Sequence, residues 1–172
     1  LFVLSLVHEL LKAGRVDLDF LVRYTNAGWL VIDDAGAADH GLFARDDAGN
    51  PLSLDRHSGE VVSALAADIA PSLNGAVELP DGRRAVPAFQ LMTGRYLDTR
   101  FAPEAVARET GLSAAQIKRI AAELAEAAFD REVVIDQSWT DWAGRRHEKM
   151  IGRPVAMHAM RGISAHSNGC LL

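Results

Sequence analysis

One cysteine, Cys170, stands in the 172 residues, so no disulfide can form within the chain and no Cys-x-x-Cys metal site exists in it. No apolar run approaches the roughly 20 residues that a membrane-spanning helix needs, so direct insertion by a helix is not expected. The apolar opening Leu1–Val7 lacks a basic stretch before it and a cleavage site after it, and it continues through His8–Lys12 as an amphipathic helix. It does not read as a signal peptide. Basic residues do not dominate either: 18 Lys and Arg face 23 Asp and Glu, a net charge of −5. That removes any general reason to expect nucleic acid or an anionic membrane as partner. Cytoplasm and periplasm both remain open as locations.

What is present is the composition of a globular domain, 49% hydrophobic and 24% charged, enough to bury a core. The charge is unevenly placed. Residues 138–172 carry Arg145, Arg146, Lys149, Arg153 and Arg161 against Asp141 and Glu148, a net +3, which leaves −8 on the rest. A basic end on an acidic chain points to a local anionic ligand.

The periodicity of the first 32 residues predicts a helix over Leu1–Ala13, closed by Gly14. Asp17 is placed to cap a second helix running to Tyr24, and Trp29–Ile32 reads as a buried strand. Residues 33–86 read as a β-rich excursion. In it Leu42–Arg45 and Leu52–Leu54 flank a turn at Asp46–Asn50, and Ala76–Leu79 and Arg84–Val86 flank Pro80-Asp81-Gly82. From residue 87 helices return: Ala88–Leu97, then one opened by Pro103 and closed by Gly111, then one opened by Ser113-Ala114-Ala115-Gln116. That last pattern is a capping box, and Ile117, Ile120, Ala121, Leu124 and Ala128 share one face behind it. Glu132–Ile135 reads as a short buried strand, and Gly152–Met160 as holding another. Alternating helices and strands predict an α/β fold, part of a doubly wound parallel-sheet, Rossmann-like domain. The division expected is 1–32 and 87–172 as α/β cofactor-binding domain, with 33–86 as the insertion.

The segment Trp139–Gly169 carries the mixture that a packed core does not need: two tryptophans, three histidines, arginines, glycines and a Ser-Asn pair. Its last part, Arg161-Gly162-Ile163-Ser164-Ala165-His166-Ser167-Asn168-Gly169, follows an expected strand and opens an expected helix. Free amides at a helix start suit phosphate, and Arg161 can add a bidentate contact; the bland alternative is a plain capped turn. His166 is the candidate proton or hydrogen-bond donor, while His158 fits a packed side chain and His8, His40 and His57 fit the surface. The spacing of His147, His158 and His166 matches no compact metal motif, so no metal site is expected. Ser164 or Ser167 with Asp141 and His166 could form a hydrolase triad, but no GxSxG elbow is present. Arg145-Arg146-His147 could grip a phosphate; the alternative is a solvated turn paired with Asp141 and Glu148.

Three stretches resemble the molybdopterin oxidoreductase superfamily, the dimethyl sulfoxide reductase family. These are Leu6–Leu11 with Asp17-Leu18-Asp19-Phe20 and Tyr24-Thr25-Asn26; then Phe101-Ala102-Pro103-Glu104 with Glu109-Thr110-Gly111-Leu112-Ser113; then Trp139–Gly169, closest to members acting on sulfur compounds. The resemblance implies an internal fragment of a large catalytic subunit, inactive alone, from an enzyme of oxygen-atom or electron transfer. It implies a molybdenum bis(molybdopterin guanine dinucleotide) cofactor, with a 4Fe-4S cluster only in an absent amino-terminal part. It further implies a small-molecule substrate and two partners: an iron–sulfur electron-transfer subunit, plus a membrane-anchor subunit. On that basis Arg161, Gly162, Ser164, Ser167, Asn168 and Gly169 are expected at the cofactor and His166 in the active-site cavity. Ala102 departs from the pattern, which has Thr before the proline. Two other readings compete: a stand-alone nucleotide- or phosphate-binding module, and a non-catalytic interaction protein docking through its acidic β-rich excursion.

Overall fold

A computed structural model describes residues 1–156. The chain forms two compact units, Leu1–Lys118 and a second that starts at Arg119.

The first unit opens with α1 (Phe2–Lys12) and α2 (Leu18–Tyr24). Gly14 adopts φ +66°, which lets Gly14 and Arg15 donate to Leu11 O and Leu10 O at 3.0 and 2.9 Å. These bonds satisfy carbonyls that the end of α1 would leave orphaned. Asp17 caps α2 as expected, its Oδ1 accepting from Phe20 N at 2.9 Å.

Next comes a β-rich region built entirely from antiparallel pairs. Strand β1 (Leu30–Ile32), buried throughout, pairs with β5 (Arg84–Pro87), which pairs in turn with β4 (Val77–Glu78). A second ribbon joins β2 (Leu52–Leu54) to β3 (Val61–Ser63). A single bridge, Trp29↔Ser53, ties the two sheets together, and another, Val31↔Phe43, pairs β1 with the segment before β2. Leu30, Ile32, Ala44, Leu79 and Ala85 form the core between them, with Leu52, Leu54, Val61 and Val77 packed around it. Two of its close approaches are specific. Ser53 Oγ, fully buried, donates to Gly28 O at 2.9 Å, and a Cβ on Gly28 would meet Pro71 Cβ at 2.6 Å. Gly28 is therefore required for the space it leaves.

Many of the acidic side chains here are committed to turns. Asp46 accepts from Ala48 N and Asn50 N, Asp55 from Ser58 N and Ala70 N, and Asp81 from Arg83 N. An Asp that bonds backbone amides ahead of it builds an Asx-type turn, so much of the acidity of this region is the chemistry of its loops. Hydrogen bonds to Asn50, Ser58 and Arg83 respectively hold these three carboxyls below the usual range.

Three helices follow: α3 (Ala88–Tyr96), α4 (Pro103–Thr110) and α5 (Ala114–Ala125). Ser113 Oγ accepts from Gln116 N at 3.2 Å while Gln116 Oε1 accepts from Ser113 N at 2.9 Å, the reciprocal capping box read in the sequence. Gly111 closes α4 at φ +73°. Leu6, Phe89, Phe101, Val106 and Ile117 are buried in this helical part. His8 is buried as well, at 5% exposure, a correction to its surface placement. It is drawn inward because its Nδ1 donates to Tyr96 O, a carbonyl at the end of α3.

The second unit contains the rest of α5, which buries Ala121 and Ala125, and a π-helical turn at Glu126–Asp130. Strand β6 (Val133–Ile135) pairs with β9 (Met150–Gly152), and β7 (Trp139–Thr140) with β8 (Arg146–His147). Residues 133–152 are thus one long, interrupted β-hairpin. Two expectations fail here. The strand at 133–135 is exposed, not buried, and its neighbour is antiparallel. The fold is mixed α and β as expected, but among the described residues every strand pair is antiparallel and the doubly wound parallel sheet is not shown. Part of the reason is local: β2 and β3, β4 and β5, and β7 and β8 are each joined by a short connection, which allows antiparallel pairing only.

Candidate functional site

The tip of the 133–152 hairpin is organised around one carboxylate. The Asp141 side chain, only 8% exposed, accepts from the backbone amides of Ala143 and Arg145, each at 2.9 Å. It also accepts from Arg145 Nε at 2.8 Å and lies 3.1 Å from His147 Nε2. Gly144, at φ +78°, lets the chain turn back, and Asp141 N donates to Arg145 O at 3.0 Å to close the loop. His147 foremost, then the Arg145 amide, holds the Asp141 carboxyl well below the usual range. The Trp139 ring stacks on the His147 imidazole, centroids 4.7 Å apart at 19°, and its Nε1 donates to Lys149 O at 3.2 Å. Trp142 stands out from the tip at 91% exposure.

This arrangement decides between two readings of Arg145-Arg146-His147. Arg145 and His147 turn inward to Asp141, and Arg146 Nε lies 3.8 Å from Glu148. The run is a self-paired turn rather than an open phosphate grip. Asp141 is held in the tip by these partners, and the triad candidates Ser164, His166 and Ser167 lie outside the described residues.

A second feature lies in the first unit, where sequence reading named no individual site residue. Two adjoining cavities, of about 460 and 380 Å³, share Arg45 and Arg83 in their walls. The larger adds Ile32, Asp39, Leu42 and Phe43, and the smaller has Leu52, Val61 and Leu79 beneath Asp46, Asp47 and Asp81. Arg83 bridges Asp39 and Asp81, and Arg45 Nη1 donates to Gly49 O at 2.7 Å. The Asp81–Arg83 spacing is a local signal legible in sequence. The Asp39–Arg83 pair joins residues 44 apart and has none.

Arg161, Gly162, Ser164, His166, Ser167, Asn168 and Gly169 lie outside the described residues, as do His158 and Cys170. Among the described residues no group of three or more His, Cys, Asp or Glu side chains could hold a metal ion, and no helix is long and apolar enough to cross a membrane.

No family model matches the chain. The class of protein it resembles is a component of an oxidoreductase. It is 42% identical to a sulfite dehydrogenase subunit from Allochromatium vinosum, over 97% of its own length. It spans 18% of the length of that relative.

These findings correct two expectations. The resemblance to the molybdopterin oxidoreductase superfamily, and with it the reading as an internal fragment of a large molybdopterin subunit, is not upheld: the relative found is a sulfite dehydrogenase subunit. The molybdenum bis(molybdopterin guanine dinucleotide) and 4Fe-4S assignments rested on that resemblance alone and fall with it. What stands is similarity to part of a redox enzyme for a sulfur compound.

Proposed function

We propose that this chain serves in an oxidoreductase that acts on an inorganic sulfur compound, with sulfite as the substrate. One observation carries this: 42% identity with a sulfite dehydrogenase subunit over 97% of the chain. The match spans nearly the whole chain, so it is not confined to a single short motif.

Oxidising sulfite to sulfate takes an oxygen from water and releases two protons and two electrons. The electrons need a route away, and an electron-transfer subunit is the partner proposed for it; the relative is itself named as one subunit of its enzyme, a component of an assembly. Sulfite and sulfate are anions. The excess of basic residues over 138–172 fits an anionic ligand near Arg161 and the amides of Gly162, Ser164, Ser167, Asn168 and Gly169, with His166 as hydrogen-bond or proton donor to it.

The test is a chimera. The matched stretch of the Allochromatium vinosum protein is replaced by this chain, and sulfite-dependent reduction of an artificial acceptor is measured in the assembled complex. Retained turnover supports the proposal, and a complex that assembles normally without turning over sulfite refutes it. In the active chimera, Arg161→Ala is expected to raise the KM for sulfite about tenfold or more, the loss of one charge-assisted hydrogen bond. An unchanged KM removes Arg161 from the ligand.

A further inference from the structure

The hairpin over residues 133–152 has a property its sequence context does not explain. Val133, Val134 and Ile135 on β6 are 45%, 54% and 47% exposed, and Met150 and Ile151 opposite them on β9 are 41% and 58% exposed. Successive residues of a strand face opposite sides. The register therefore puts Val133, Ile135 and Met150 on one face and Val134 and Ile151 on the other. A strand apolar on both sides has the pattern of an interior strand, covered above and below. A ribbon of two strands is marginal in water unless a third strand or another layer joins it. Among the described residues β6 has β9 as its one strand neighbour.

The flanks of β6 decide what can join it. Exposed Glu132 and Asp136 bracket the apolar triplet; Arg153, just past the end of β9, reaches to 4.0 Å from Glu132. Antiparallel pairing with a second copy, centred on Val134, would set Glu132 against Asp136 at both ends. Parallel pairing in register would set Glu132 against Glu132. Like charges directly opposite destabilise a strand pair, so the acidic brackets act against self-association, as charged edge residues do in other sheets.

We propose that the edge of β6 opposite β9, with which no described strand pairs, docks an extended segment of a partner polypeptide, an apolar triplet bracketed by lysine or arginine. Main-chain hydrogen bonds supply the attraction, and the bracketing charges and apolar faces supply the choice of partner.

The experiment uses the full 172-residue chain, labelled with nitrogen-15, and two synthetic peptides. One reads Gly-Ser-Lys-Val-Ile-Val-Lys-Ser-Gly, and the other has glutamate at both lysine positions. The lysine peptide should shift the amide resonances of Val133, Val134 and Ile135 and slow their exchange. The glutamate peptide should bind about tenfold more weakly, from two attractive cross-strand pairs turned repulsive. Doubly substituting Glu132→Lys and Asp136→Lys should invert the preference. No shift with either peptide overturns the proposal, and so does equal binding of both. A concentration-dependent dimer of the unsubstituted chain that Val134→Pro abolishes also overturns it, because the edge would then be filled by a second copy.

Discussion

His8, in the first helix, donates from Nδ1 to the carbonyl of Tyr96 at 2.9 Å, a tie between residues 88 apart in sequence. Tyr96 is the last residue of α3, where helical carbonyls lack partners within the helix. One buried imidazole therefore closes α3 and holds α1 against it. Replacing it with leucine keeps the bulk but leaves the carbonyl without its partner. His8→Leu is expected to destabilise the first unit by about 2 kcal/mol, read as a lower midpoint in urea denaturation followed by circular dichroism. A variant as stable as the parent would mean that the tie contributes nothing.

The start of α4 offers the reverse case. Ala102 is its N-cap, with extended backbone and no side-chain cap bond, directly before Pro103. A serine or threonine there can accept from an amide in the first helical turn. Ala102→Ser is expected to stabilise the first unit by about 1 kcal/mol, visible as a raised denaturation midpoint with unchanged slope. A lower midpoint would show that the hydroxyl is buried without a partner.

Asp141 sets a pH limit on the hairpin tip. Its carboxyl is held below the usual range by His147 and by the Arg145 amide, so its pKa is lower in the folded state than in the unfolded. The stability it contributes is present above the unfolded value of about 3.9. It is lost as pH falls through the lowered folded value. The stacking of Trp139 on His147 should therefore persist from neutral pH to well below the range where free aspartate protonates. Asp141→Ala should open the tip at all pH values. The indole N–H resonance of Trp139 and the exchange rate of the Arg145 amide report both effects. If the alanine variant leaves them unchanged, the carboxylate does not organise the tip.

Sequence alone determined the elements whose cause is local. Asp17 capping α2, the Ser113–Gln116 box and the left-handed glycines Gly14, Gly82 and Gly111 each act within a few residues. Their chemistry is complete in the string of letters, and so were the helices and turns they bound. Long-range partners decided the rest. His8 carries no local sign of burial, because its acceptor lies at Tyr96. Asp39 meets Arg83 only because β1 and β5 pair. Direction of pairing misled for a related reason. An apolar triplet such as Val133-Val134-Ile135 fits a parallel interior strand and an antiparallel ribbon equally well, and only the return of the chain through Asp141–Arg145 chose the second. Hydrophobic periodicity records which residues seek cover, and the tertiary structure alone records what provides it.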